Sequence, residues 1–366
     1  MKLNPKFLLV SIVPQQMTEE EAFLNVRELI QLVESYGGSV EDIVLQKRES
    51  TDKGMYIGKG KVEEVTELIK EKNIDVVVLN ALVVPGQLYE LTTIFQEVNL
   101  QIEVWDRIDL ILKIFSKRAF TAEAKLQIEL AAMRHMGPRI FGMGLEMSRQ
   151  GGGIGTRGVG ETNTELMKRH WRDEIKRTKD RLAKVLKFRE QQMEKRKEIP
   201  LRTVSLVGYT NAGKTSLFNV LTKKKKDARN ELFATLESYT GKMYLPESEP
   251  HFAKATWGRE ILISDTIGFI RDLPPELIEA FRSTLLESIN ADLVLHIIDG
   301  SDPDMKRKVA VVEETLDALT IDRNKVIDVY NKSDVTKLEN VLSISTKNQN
   351  GIDNLKNVIG ETLQKV

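Results

Sequence analysis

The chain has 366 residues, 41% of them apolar, and 54 Lys/Arg balanced by 54 Asp/Glu, which suits two or three domains with real cores. Without cysteine it can hold neither a disulfide framework nor a thiolate metal site, and its four scattered histidines give no zinc spacing. No apolar run approaches a membrane span and Met1–Pro5 opens no signal peptide, so a soluble cytoplasmic protein is expected.

Residues 1–118 alternate strand-like and helix-like stretches. Phe7–Val13 is apolar and partly β-branched. Thr18–Tyr36 is periodic through Phe23, Val26, Ile30 and Val33, opens on an acidic turn and stops at Gly37-Gly38, which predicts a helix. Further strands are expected at Ser39–Gln46, Val76–Leu79 and Gln101–Val104, with helices near Lys61–Lys72, Val84–Val98 and Ile108–Arg118. The alternation predicts an α/β domain on a mostly parallel sheet. Within it, Gly58-Lys59-Gly60-Lys61 precedes a helix and could bind phosphate. It lacks the longer glycine spacing of a dinucleotide loop, so a plain turn is favoured.

Two amphipathic helices are expected next, packed as an antiparallel hairpin across residues 119–199. The first, 121–136, aligns Ala122, Leu126, Leu130 and Met133. The second, 162–198, aligns Ile175, Leu182, Leu186 and Met193. Between them residues 137–160 hold nine of the 23 glycines, including Gly151-Gly152-Gly153, together with Arg139, Arg149 and Arg157. That composition predicts a loop without a packed core. Charge marks the same region: residues 119–199 carry 18 Lys/Arg against 11 Asp/Glu, whereas 1–118 carry 14 against 19 and 200–366 carry 22 against 24. From Lys168 to Glu198 the ratio is 13 to 6. Pairing at i,i+4 on a solvated face explains part of this charge, and nucleic-acid phosphates explain the imbalance.

Residues 200–366 show strand-like runs near 203–207, 242–245, 251–256, 260–264, 293–298 and 325–330, and a short one at Leu342–Ile344. Three runs end in motifs. The first leads into Gly208-Tyr209-Thr210-Asn211-Ala212-Gly213-Lys214-Thr215, with Ser216 next in the following helix. Such a loop turns backbone N–H groups toward phosphates at a helix N-terminus. Gly208 and Gly213 permit close backbone approach, Lys214 would neutralise the β/γ oxygens, and the Thr215 hydroxyl would coordinate magnesium. The second motif is Asp265-Thr266-Ile267-Gly268. Asp265 would hold the magnesium, and the Gly268 amide would meet a γ-phosphate. The third, Asn331-Lys332-Ser333-Asp334, reads the base. The Asp334 carboxylate can accept from guanine N1–H and the 2-amino group, neither of which adenine offers. Asn331 would tie the base to the phosphate loop, and the Lys332 stem would cover a ring face. Farther on, Ser345-Thr346-Lys347 precedes Gly351-Ile352 and would present a backbone amide to guanine O6.

The three motifs in this order predict a chain that binds GTP with magnesium and hydrolyses it to GDP and phosphate. Phe269 stands where many GTPases carry a glutamine that orients the attacking water. A phenyl ring cannot do this, so slow unaided turnover is expected, with the missing group supplied by a partner or a rearranged switch. Packing beneath the switch as a hydrophobic latch is the other reading of Phe269.

In combination these motifs resemble the HflX family of ribosome-associated GTPases. The resemblance is carried by Tyr56–Lys61, Thr121–Leu130, Gly151–Thr162, Gly208–Thr215, Leu232–Leu236 and Asp265–Pro274, and it runs from about residue 5 to the end. It implies an N-terminal α/β domain with a helical hairpin, followed by a Ras-like P-loop GTPase domain. It implies binding to the large ribosomal subunit, including its RNA, in splitting, rescue or recycling; a monomer whose slow turnover that subunit stimulates is expected. It also implies that Thr235 is the switch threonine, meeting magnesium in the GTP state and serving catalysis beside Lys214 and Gly268. The sequence departs from the family at Glu237–Gly241 and at Asn163–Met167, and the small C-terminal domain of many relatives is not expected here. Two other readings are an RNA-binding assembly factor in which GTP only switches affinity, and an ATP site at Gly58–Lys61.

Overall fold

The computed structural model describes residues 4–150, 159–196, 201–224, 239–245, 260–271 and 289–365. They fall into two compact units, Met1–Lys184 and Val185–Val366. The expected strand at 251–256, Thr235 and the glycine-rich tip with Arg157 lie outside the described residues.

The first unit is built on β1 (Lys6–Val13), α1 (Glu19–Tyr36), β2 (Ser39–Lys47), α2 (Lys59–Lys72), β3 (Val76–Leu79), α3 (Pro85–Gln96), β4 (Glu103–Asp106) and α4 (Arg107–Arg118). Its four strands are parallel in the order β2-β1-β3-β4. Alternation along β1 serves two cores. Leu8 and Val10 pack with Val65, Ile69 and Phe95 of α2 and α3. Phe7, on the opposite face, meets Tyr36 and Trp105 edge-on at 5.8 and 5.5 Å. The start of α1 is fixed by a reciprocal cap: Glu21 N–H donates to Thr18 Oγ1 and Thr18 N–H to Glu21 Oε2. Gly37, at φ 90°, ends it.

Then α5 (Ala122–Gln150) departs from expectation. It continues through Gly137-Pro138 and consumes the first part of the 137–160 segment expected as a loop, and α6 (Val159–Arg196) takes back its end. Composition argued for a loop because interior Gly and Pro cost about 1 and 3 kcal/mol. Tertiary contacts override that cost. Asp106 and Asp109 cap α4 reciprocally, each carboxylate accepting the other's N–H at 2.8 and 3.0 Å. Both also hold Arg139 of α5, at 2.5 and 2.6 Å, with His135 Nε2 3.2 Å from Asp106. Burial alone would lower the His135 pKa, yet the two carboxylates push it up to about 9. Burial would raise Asp109, but His135 and Arg139 hold it near about 2. The His135 imidazole faces the Arg139 guanidinium as well, with Nε2 2.7 Å from Nη2, and that positive charge works against the carboxylates. Asp106, Asp109 and His135, which could together ligate a metal, already surround a guanidinium. The Trp171 indole N–H donates to the Met133 carbonyl at 3.0 Å and ties α6 to α5. Arg169, Arg172, Lys176 and Arg177 of α6 are exposed.

The second unit contains β5 (Thr203–Val207), α7 (Lys214–Thr222), β6 (Tyr239–Tyr244), β7 (Glu260–Asp265), β8 (Leu293–Asp299), α8 (Met305–Ala318), β9 (Val326–Asn331) and α9 (Ile352–Lys365). The sheet order is β6-β7-β5-β8-β9, with β6 antiparallel to β7 and the remaining pairs parallel. Its core gathers Leu206, Phe218, Ile263, Leu295, Val329 and Leu355. Leu342–Ile344 forms no strand; a single bridge joins Ser343 to Tyr330. Ser345 N–H donates to the Asn350 carbonyl, so the chain already turns where a strand would continue. The parallel strands β5, β7, β8 and β9 bring Gly208, Asp265, Asp299 and Asn331 to one carboxyl edge, where ligands bind in open α/β sheets.

Candidate guanine-nucleotide site

The loop between β5 and α7 has the backbone its glycines predict. Gly208 has φ 148°, and a Cβ there would lie 2.3 Å from the Ile297 carbonyl oxygen. Gly213 has φ 95°, and its Cβ would lie 2.1 Å from Asn331 Nδ2. A side chain at Gly208 would have to move β8, and one at Gly213 would be strained and would displace the Asn331 amide. Gly213 caps α7 without a side chain, which leaves the first amides of the helix for an anion.

Lys214 lies across the loop. Its Nζ donates to the Gly208 and Tyr209 carbonyls at 3.0 and 2.7 Å. Burial lowers its pKa to about 8, with Asp265 acting in the opposite direction. The Thr215 hydroxyl donates to Asp265 Oδ2 at 2.9 Å, and Asp265 is fully buried. The Thr266 hydroxyl, bonded to the Leu206 carbonyl at 2.6 Å, fixes the chain just beyond it. A hydroxyl and a carboxylate side by side form a hard-oxygen donor set suited to magnesium.

The segment after Gly268 is bonded to the phosphate loop. Phe269 N–H donates to the Gly208 carbonyl at 3.1 Å, and Thr210 N–H donates to the Phe269 carbonyl at 2.8 Å. Arg271 N–H adds a bond to the Tyr209 hydroxyl at 2.9 Å. The Phe269 ring is buried. A Cβ on Gly268 would meet Thr210 at 2.8 Å and Lys214 Nζ at 3.0 Å, so glycine alone allows this approach.

Asn331 joins the phosphate and base ends of the site. Its Nδ2 donates to the Ala212 carbonyl at 2.9 Å, and its Oδ1 accepts the Thr346 N–H at 3.1 Å. A backbone amide of this loop was expected to face guanine O6; the Thr346 amide serves Asn331. Ser345 Oγ donates to Asp334 Oδ1 at 2.7 Å, and this bond leads the influences holding the Asp334 carboxyl below the usual carboxylate range. Lys347 Nζ stands 4.0 Å from Asp334. The fold therefore gathers Gly208, Tyr209, Thr210, Asn211, Ala212, Gly213, Lys214, Thr215 and Ser216 with Asp265, Gly268, Asn331, Lys332, Asp334, Ser345, Thr346 and Lys347 along one edge of the sheet. Sequence reasoning passed over Asp299, whose Oδ2 accepts from Lys332 Nζ at 2.6 Å. Its one sequence signal is an acidic residue ending an apolar run level with the other strand ends.

Three family models match consecutive stretches of the chain: GTP-binding GTPase N-terminal over residues 24–116, GTP-binding GTPase Middle Region over 118–196, and 50S ribosome-binding GTPase over 203–332. The chain is similar to the GTPase HflX of Caldanaerobacter subterraneus subsp. tengcongensis, 41% identical over 363 residues, covering 98% of this chain and 80% of that one. It is similar to the GTPase HflX of Escherichia coli (strain K12), 35% identical over 318 residues, covering 87% and 71%. A crystal structure of SsGBP in complex with GDP shares the fold, with TM-score 0.53 and 23% identity over 98% of this chain and 99% of that one.

Proposed function

Since this chain belongs to the GTPase HflX family and is a GTP-hydrolysing enzyme, we propose that it acts in the cytoplasm on the large ribosomal subunit, which stimulates an otherwise slow turnover. In this reading residues 200–366 are the GTPase domain, residues 1–118 a supporting α/β domain, and residues 119–199 an arm that contacts ribosomal RNA. The match of residues 203–332 to a 50S ribosome-binding GTPase carries the proposal. The exposed basic face of α6 supplies what phosphates require.

The site residues take the following roles. Gly208 to Ser216 cradle the phosphates and Lys214 neutralises the β/γ oxygens. Asn331, Lys332, Asp334 and Ser345 to Lys347 hold guanine. Thr215 and Asp265, with Thr235 in the GTP state, would hold a magnesium ion, which supplies charge neutralisation on the β and γ oxygens. The Gly268 amide meets the γ-phosphate. Phe269, buried and bonded through its backbone, offers the attacking water no acceptor. A group from the bound ribosome supplies it, and such groups are worth roughly 10³–10⁵ in rate elsewhere.

GTP turnover with and without purified large subunits tests this. Stimulation by about a thousandfold or more is expected. Ribosome binding that depends on the nucleotide, with turnover unchanged, would instead establish an RNA-binding assembly factor for which GTP only sets affinity.

A further inference from the structure

We propose that Asp299 is a positioning residue for guanine binding: it fixes the Lys332 side chain over the base, through a turn that grips the end of β9. The proposal rests on the reading of Lys332 as the residue that covers the guanine ring. Asp299 is the last residue of β8, and the ladder places it directly opposite Asn331. Two bonds orient its carboxylate before it reaches Lys332: Oδ1 accepts from Ser301 N–H at 3.0 Å and from Ser301 Oγ at 2.7 Å. The other oxygen, Oδ2, accepts from Lys332 Nζ at 2.6 Å.

The backbone closes the same grip. Gly300 N–H donates to the Asn331 carbonyl at 3.0 Å, and a Cβ on Gly300 would stand 3.1 Å from that oxygen. Lys332 itself is left-handed, at φ 66°, which turns its side chain away from the strand direction. A lysine has four rotatable bonds and no shape of its own, so a free one would lose much of its entropy on covering a ring. Asp299 removes that freedom in advance. The ordering is done by the protein rather than by the ligand, and preorganisation of this kind appears as affinity. Because the base is common to GDP and GTP, both nucleotides benefit alike.

The test is a double-mutant cycle read by GDP affinity in the full chain. Asp299→Asn keeps the shape and the Ser301 bonds and removes the charge. It should weaken GDP binding on the order of threefold to tenfold, scaled down from a buried pair because Lys332 is partly exposed. Lys332→Met should weaken it comparably. In the Lys332→Met background, Asp299→Asn should add less than about twofold, since the partner it positions is gone. Ser301→Ala provides a milder variant that keeps both charges; its smaller loss should also vanish in that background. Equal losses in both backgrounds, or no loss in either, would make Asp299 a merely structural strand end and overturn the inference. Failure of the unmutated chain to bind GDP would instead remove the nucleotide reading itself.

Discussion

Replacing Asn331 by alanine should damage nucleotide binding more than its distance from the phosphates suggests. The side chain is buried and makes two bonds that join three parts of the site: the phosphate loop at Ala212, the end of β9, and the loop at Thr346. A buried hydrogen bond contributes about 0.5–1.5 kcal/mol net, and a partner left buried and unsatisfied costs about 1–3 kcal/mol. Two such bonds, with water able to reach one abandoned partner, come to about 2–4 kcal/mol. Expressed in the bound state, that is a loss of about 30- to 1,000-fold in GDP affinity. Asn331→Asp should do no better. It keeps an acceptor for the Thr346 amide but sets an oxygen against the Ala212 carbonyl. The assay is the dissociation rate of a fluorescent GDP analogue, alongside thermal unfolding of the free protein. A change in GDP affinity below about threefold, with unfolding unaltered, would refute the idea that Asn331 couples the two ends of the site.

Asp334→Asn should cost at least about tenfold in GTP affinity and gain xanthosine nucleotides, because an amide can donate to the oxygen at C2; competition binding with GTP, XTP and ATP checks both effects. Lys214, at about 8 before nucleotide arrives, must be charged to meet the phosphates, and their anionic charge raises its pKa. GDP affinity should therefore be full below pH 8 and fall as pH rises through it, by up to tenfold per unit; a flat titration from pH 7 to 9 would contradict this. His135 is raised to about 9 in the folded state, so its stabilisation is complete below about 6.5 and lost as pH climbs through 9. The stability of the first unit should fall across that window by about 1–2 kcal/mol, discounted from the full shift because Arg139 opposes the charged ring and the group is not fully buried, and His135→Phe should flatten the dependence. Neutralising Arg149, Arg157, Arg169 and Arg172 together should weaken ribosome association and flatten its salt dependence while GDP affinity holds.

Much of this was legible in the sequence where one physical cause dominates. Val76–Leu79 is an apolar run covered on both faces, and it could hardly be anything but a central parallel strand. Gly208 and Gly213 announced their conformations because a Cβ would strike Ile297 or Asn331. The failures came where a distant partner decides. Gly137-Pro138 reads as a helix end in any local scheme, and only Asp106 and Asp109, some thirty residues earlier, explain why α5 continues. Asp299 escaped because its role depends on register: nothing near it in the chain reveals that β9 places Asn331 opposite. Leu342–Ile344 had the composition of a strand but formed only a bridge, because the following turn reclaims its end.

The paired bonds between Phe269 and the phosphate loop also make their release observable. The Thr210 and Phe269 amides are shielded by the same short parallel bridge, so each is protected from hydrogen exchange only while the other is. At a pH where chemical exchange outpaces reclosing, their exchange rate is the rate at which the chain beyond Gly268 lets go of the loop. That frequency is set by the folded chain and not by the chemistry at the γ-phosphate. If release governs the pace of the cycle, the two amides should exchange together and at the turnover rate. If chemistry governs it, they should exchange together but much faster.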